Sequence, residues 1–169
     1  MIRAGLTFFV AGLNIAFAQG GADGMARIDG GQLVPFYSKN KAGVKTVEQV
    51  KTFLMDRYLV SNRDYLEFVK NNSDWQKSKV KKIFADSGYL EHWDGDLKVK
   101  TGDLKKPVRF VSWFAATAYC RSLGKELPTV TQWEFAAAAD EKEKNAVEKP
   151  EFKAKILKWY SRPSIDKLP

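Results

Sequence analysis

The stretch from Pro107 to Ala139 constrains the fold of this chain more than any other. Pro107-Val108-Arg109-Phe110-Val111 has the β-branched and aromatic content of a strand. Ser112 then offers a side-chain oxygen to a helix start, and Ala116, Tyr119, Cys120 and Leu123 recur on one helical stripe. Gly124 stops that helix, at a position where glycine adopts a left-handed backbone at little cost. Thr129-Val130-Thr131-Gln132 satisfies the capping-box pattern, in which the Thr129 hydroxyl and the Gln132 amide each reach an orphan backbone donor. A second helix is predicted to begin there and to bury Trp133, Ala136 and Ala137.

The flanking sequence fills out a mixed α/β, loop-rich reading. Ala26 to Phe36 reads as a short strand, a turn at Gly30-Gly31 and a second strand that Pro35 keeps at an edge. Val50 to Val60 has a mixed period that favours strand over helix. Ser61-Asn62-Arg63-Asp64 is a helix start, with Ser61 placed to accept from exposed amides and Asp64 at the positive end of the dipole. Tyr65, Phe68 and Val69 then share a face, and Asn71-Asn72 ends the run. Lys79 to Ala85 forms a short turn, and Trp93-Asp94-Gly95-Asp96 a tight one. After the mixed-charge run Glu141 to Asn145, Pro150 starts another helix whose stripe is Phe152, Ile156, Leu157 and Tyr160, closed by Arg162-Pro163.

At the N-terminus, Met1-Ile2-Arg3 supplies a positive charge and Ala4 to Phe17 an apolar run too short to span a bilayer as a helix. Ala16-Phe17-Ala18 is the small-x-small pattern a signal peptidase reads. Residues 1–18 are therefore expected to be a signal peptide, 19–24 a flexible lead-in, and 25–169 one domain in an exported protein, periplasmic or secreted. No membrane association is expected once the peptide is removed. The formal charge of +8 is spread over lysines from Lys39 to Lys167, densest at Lys77, Lys79, Lys81 and Lys82. No nucleic-acid motif interleaves them, so a solvated basic face is expected rather than nucleic-acid binding.

Counting residue types narrows the chemistry. Cys120 is the one cysteine, so an intrachain disulfide is excluded, and His92 is the one histidine, so a multi-histidine metal site is excluded as well. Glu91-His92-Trp93 sits in no hydrolase-like context such as Gly-x-Ser-x-Gly, and a surface or packing role is expected for His92. Asp94, Asp96 and Asp103 lack the spacing of an EF-hand loop and its bidentate Glu. No catalytic, cofactor-binding or metal-binding residue is assigned.

Pro107-Val108-Arg109-Phe110-Val111-Ser112-Trp113, Ala116 to Cys120, Gly124 to Thr129 and Gln132 to Ala137 together resemble the formylglycine-generating (sulfatase-modifying factor) family. The family patterns are Pro-Val-x-x-Val-Ser-Trp, Ala-x-Ala-Tyr-Cys, Gly-Lys-Arg-Leu-Pro-Thr and Glu-Trp-Glu-Tyr-Ala-Ala. Ile28-Asp29-Gly30-Gly31 is similar to the family's Ile-x-Gly-Gly, and Val60 to Phe68 to its Val-Thr-Asn-x-x-Tyr-x-x-Phe. The resemblance runs from Met25 to about Ala139, with Glu126 where Arg is usual and Gln132 where Glu is usual. It implies an irregular mixed α/β fold, a variant of the C-type lectin fold. Enzymes of the family use copper held by two cysteines, plus oxygen, to convert a sulfatase cysteine to formylglycine; other relatives bind nonheme iron or serve as noncatalytic parts of export, motility or denitrification systems.

This chain departs from that pattern where the chemistry resides. The family's copper ligands follow a motif rich in Gly, Asn, Val, Trp and Glu in the C-terminal half of the domain, and neither that motif nor a second cysteine is present. Cys120 belongs to the Ala-Tyr-Cys helix, where a buried, inert thiol is expected. No cofactor is expected in this chain, with copper or calcium admitted only alongside a missing C-terminal part. Two readings stay open: the N-terminal portion of a sulfatase-modifying-type domain, incomplete and completed by further sequence or a partner chain, or a noncatalytic periplasmic binding or assembly module on the same scaffold. A basic protein that binds an acidic polymer rests on net charge alone.

Overall fold

A Cβ added to Gly30 would lie 2.2 Å from the carbonyl oxygen of Val50 and 2.7 Å from the amide nitrogen of Thr52. That close approach organises the N-terminal part of the fold. In the computed structural model, which describes residues 24–35, 43 and 46–161, Met25–Ile28 (β1) pairs antiparallel with Phe53–Asp56 (β4). Gly31–Leu33 (β2) pairs antiparallel with Glu48–Val50 (β3). The register from Met25↔Asp56 continues without slip to Leu33↔Glu48. The Gly30-Gly31 turn expected from the sequence is therefore corrected: the glycines break a strand run instead of reversing it. β1 and β2 both pair with the returning 48–56 segment, and the break at Gly30 is bridged by its amide donating to Thr52 Oγ1 at 3.1 Å. Only the Phe53–Asp56 part of the Val50 to Val60 run after β3 is strand, with Phe53 and Met55 half-buried and Leu54 and Asp56 exposed.

Helix α1, Asn62–Asn71, begins as its sequence dictates. The Ser61 hydroxyl accepts from the Asp64 amide and the Asp64 carboxylate accepts in return from the Ser61 amide, a reciprocal cap that satisfies two orphan donors. Its buried face is Tyr65, Phe68 and Val69, together with Asn62. A single 3-10 turn, Ser73–Trp75, follows. Helix α2, Trp113–Ser122, is capped by Ser112, and Gly124 lies just beyond it at φ +68°. Helix α3, Val130–Ala137, carries the Thr129/Gln132 capping box, and α4 covers Pro150–Tyr160. The result is a mixed fold of helices and small two-stranded sheets.

The core sits between α1, α2 and the irregular 85–93 segment. Tyr65, Phe68, Val69, Ala85, Tyr89, Leu90, Trp93, Ala115 and Tyr119 form it. The rings of Tyr65, Phe68 and Tyr119 meet at 5.3 to 5.6 Å between centroids, the spacing of offset and edge contacts. The buried hydroxyls of Tyr65 and Tyr89 bond each other at 2.9 Å, and Tyr89 also donates to the Trp75 carbonyl at 3.0 Å. Burial raises the Tyr65 and Tyr89 hydroxyls and pushes that of Tyr119 up to about 12, so all three phenols are neutral at neutral pH.

Four further expectations are corrected. Pro107 to Val111 is not a strand: it makes one isolated bridge, Ser61↔Pro107, and Phe110 at φ +55° turns the backbone out of any ladder. On α2 the buried residues are Ala115 and Tyr119; Ala116 and Cys120 are half-buried, and Leu123 is exposed. On α3, Trp133 is 58% exposed, Ala136 is half-buried and Ala137 is exposed, because only the opposite side, led by Phe135, lies against Gly31. On α4, Ile156 and Leu157 are exposed. The expected signal peptide, lead-in residues 19–23, Phe36 and Arg162-Pro163 lie outside the described residues.

Candidate functional site

Asn62, 1% exposed, joins three segments that have no secondary structure in common. Its Nδ2 donates to the carbonyl oxygens of Asp103 at 3.0 Å and Lys106 at 3.2 Å. Its Oδ1 accepts from the Trp93 indole at 2.8 Å and lies 3.0 Å from His92 Nε2. Since Nδ2 faces carbonyls, the orientation of the amide is fixed, and Oδ1 is left as an acceptor. Backbone bonds tie the same segments together: the Asn62 and Arg63 amides donate to Lys106 and Leu104, and the Val108 amide donates to Val60. The Asn62 and Arg63 donors of the first turn of α1 are thereby satisfied by the 103–108 loop, alongside the Asp64 donor that Ser61 caps.

With Oδ1 accepting, His92 Nε2 must carry the proton, and Nδ1 is the bare nitrogen of a neutral ring. That Nδ1 is buried and has no hydrogen-bond partner. Burial holds His92 below its ordinary imidazole range, and Arg109 and Lys77 act in the same direction against Asp103 and Glu91. The ring packs on Phe110 at 5.7 Å between centroids, and the Arg109 guanidinium lies over that same Phe110 ring at 5.5 Å. Lys77 fixes the turn from the other side, its ammonium donating to the Trp93 carbonyl at 3.0 Å.

Beside this knot the 85–91 and 110–112 segments enclose a cleft of about 420 Å³, lined by Tyr89, Phe110 and Ser112 with the carboxylates of Asp86 and Glu91 at its rim. Phe110, in that lining, lies in the left-handed region at φ +55°, and so does Leu90, behind the cleft, at φ +50°. They are bonded to each other, the Leu90 amide donating to the Phe110 carbonyl at 2.8 Å. Such backbone costs of order 1–3 kcal/mol per residue and persists only where packing over-determines it; fully buried Leu90 supplies that packing. Next to the cleft an aromatic surface runs through Phe84, Phe114 and Trp113, with centroid separations of 5.4 and 5.3 Å, and Trp113 is 66% exposed.

The residues singled out in the sequence do not converge on one centre. His92 enters the Asn62 knot as a packing and hydrogen-bonding residue. The Asp96 carboxylate is taken by Ser78, at 2.7 Å from its amide and 2.6 Å from its hydroxyl, and Asp103 pairs with Lys106 at 2.5 Å. Among the described residues no three His, Cys, Asp or Glu side chains are placed to hold a metal ion. Cys120 lies half-buried on α2, packed against the core, and burial together with Asp56 pushes its thiol up. The residue that sequence reasoning missed is Asn62, read only as part of a helix start. Its signal was present in the similarity of Val60-Ser61-Asn62 to the family's Val-Thr-Asn.

The model of the sulfatase-modifying factor enzyme 1-like domain matches residues 11–162. The formylglycine-generating enzyme of Thermomonospora curvata is 30% identical over 149 residues, covering 69% of this chain and 49% of the enzyme. The inactive Cα-formylglycine-generating enzyme 2 of Bos taurus is 32% identical over 115 residues, 52% of this chain and 38% of that protein. The serine/threonine-protein kinase pkn1 of Chlamydia caviae is 26% identical over 116 residues, 67% of this chain and 19% of the kinase. The chain thus spans between about a fifth and about half of the length of these relatives.

Proposed function

The chain belongs to the sulfatase-modifying factor enzyme 1-like family, and from that premise we propose that it is an exported scaffold portion of such a domain, without formylglycine-generating activity of its own. One observation carries this reading. The copper site that the resemblance implies takes two thiolates, whereas this chain has Cys120 alone, and that thiol is half-buried on α2 with burial opposing its ionisation. The residues present do not fit the copper centre, so no reaction step is derived through it. Similarity to a protein named as an inactive formylglycine-generating enzyme supports the same reading.

The fold proposed is the N-terminal portion, residues 25–169, of the family's C-type lectin-like variant. A further segment of the same domain type, in cis or on a partner chain, would cover the exposed motif aromatics Trp113 and Trp133. Export rests on the charged start, the apolar run and Ala16-Phe17-Ala18, with cleavage leaving Gln19 first. The test of inactivity incubates the purified chain with copper, oxygen and a cysteine-containing sulfatase-type peptide, and follows the peptide by mass. No conversion of the cysteine to an aldehyde is expected. Conversion, particularly conversion that survives Cys120→Ser, would overturn the proposal.

A further inference from the structure

We propose that His92 is an acid-sensitive latch that holds the 103–111 segment against the start of α1, and that protonation of its Nδ1 releases the segment and opens the cleft beside Phe110. The argument starts from the orientation of Asn62. Two carbonyls fix Nδ2, so Oδ1 takes the Nε2–H of a neutral His92. A second proton has one place to go, Nδ1, which is buried and faces no acceptor. A new N–H there is a buried donor without a partner, on a ring that has become a cation.

The surrounding charges favour expulsion over accommodation. Arg109, from the segment to be released, and Lys77, from the turn that holds Trp93, both oppose a cationic ring. Asp103 and Glu91 act the other way, yet Asp103 is already paired with Lys106 and Glu91 is exposed. Expulsion would strip the Phe110 ring of its imidazole neighbour and leave Asn62 with one side-chain donor, Trp93. The segment would then be held by the Asn62 amide group and a few backbone bonds, and its link to the 85–91 segment, Leu90 to Phe110, closes two left-handed residues whose strain relaxes on opening.

The linkage has a definite sign. The closed state holds His92 below its ordinary value of 6.5, so the open state binds the proton more tightly. Closure is at full strength above that value and weakens as pH falls from it towards the closed-state value. Each unit by which the closed-state value lies below the open-state one changes the opening equilibrium by up to about tenfold.

The test is hydrogen exchange of the full chain at about pH 7 and about pH 5, corrected for intrinsic exchange. The amides of Leu90, Asn62, Arg63 and Val108, which report on the 103–111 segment, are expected to lose protection on acidification, while those of Phe68 and Val69 do not. In His92→Gln, whose side-chain amide still donates to Asn62 but does not titrate, the acid response should vanish. Equal protection of the four amides at both pH values in the unaltered chain would overturn the latch, as would an acid response that persists in His92→Gln. Should His92→Gln not fold, the ring resonances of the unaltered chain decide: titration below 6.5, in step with the loss of protection, supports the latch, and titration at the ordinary value or out of step with it overturns it.

Discussion

The indole of Trp93 donates to Asn62 Oδ1 at 2.8 Å inside a core where both side chains are shielded from water. This bond binds the first residue of α1 to a turn thirty-one positions later, and the opposite end of the same amide binds the 103–107 loop. A polar group in such a place stabilises the fold only while every atom is satisfied.

Asn62→Leu, similar in volume, would leave the Trp93 indole and His92 Nε2 without their shared acceptor, while the Lys106 and Asp103 carbonyls keep the Asn62 and Lys106 backbone amides as donors. Each such buried group costs about 1–3 kcal/mol. The expected loss is about 2 kcal/mol or more, read as a lowered urea midpoint with an unchanged slope. A change within about 0.5 kcal/mol, the range of an inert surface substitution, would show that Asn62 is not the joint described.

Gly30→Ala tests the break in the ribbon. The added methyl would meet backbone at 2.2 Å and 2.7 Å, and backbone cannot swing aside as a flexible side-chain tip can. The expected cost is about 2 kcal/mol or more, with separation of β1 from β4 visible as faster amide exchange. Gly95→Ala is the control, since its nearest neighbour, Lys98 Cβ, is 4.0 Å away; it should cost no more than about 0.5 kcal/mol. Equal effects of the two substitutions would refute the close approach.

Local chemistry was legible in the sequence, and long-range packing was not. Ser61, Ser112 and Thr129 were identified as caps because capping is settled within four residues, and Gly124 as a stop for the same reason. The Gly30-Gly31 pair was misread because a turn and a close backbone approach both select glycine, and only the 48–56 partner decides between them. Pro107 to Val111 has strand composition but lacks a strand partner, and composition does not report that. The α3 stripe was misassigned because helical periodicity gives a face without saying what it meets: Phe135 packs on the ribbon and Trp133 points elsewhere. Family membership was legible because it resides in those local signatures. The Asn62 knot was not, since its partners, Pro107 the farthest, lie up to 45 positions away.

Cys120 should be a slow nucleophile. Burial and the Asp56 carboxylate raise its thiol above the ordinary value of 9.0, with Lys125 opposing more weakly. A raised value means that the neutral thiol is favoured by folding, a contribution present below 9.0 and lost as pH rises through the folded-state value. Alkylation by iodoacetamide at about pH 8 is expected to be at least about tenfold slower than for the urea-unfolded chain. An equal rate in the two states would contradict the half-buried position on α2.

The exposed motif aromatics give the remaining prediction. Trp113 and Trp133 belong to the motifs on which the family resemblance rests, yet they are 66% and 58% exposed. Covering a large apolar side chain is worth about 1.5–3 kcal/mol, so two exposed indoles, one of them beside the exposed Phe114 ring, favour association. The purified chain is expected to bind a hydrophobic dye and to self-associate or capture the remainder of a family domain supplied in trans. The double variant Trp113→Ser, Trp133→Ser should lose most of that dye binding at a stability cost of about 0.5 kcal/mol or less per site, because neither indole is buried in the isolated chain. A dye-free monomer would show that the described residues need no cover. Unchanged dye binding in the double variant would place the apolar surface elsewhere, and a large loss of stability would mean that the two indoles are already packed.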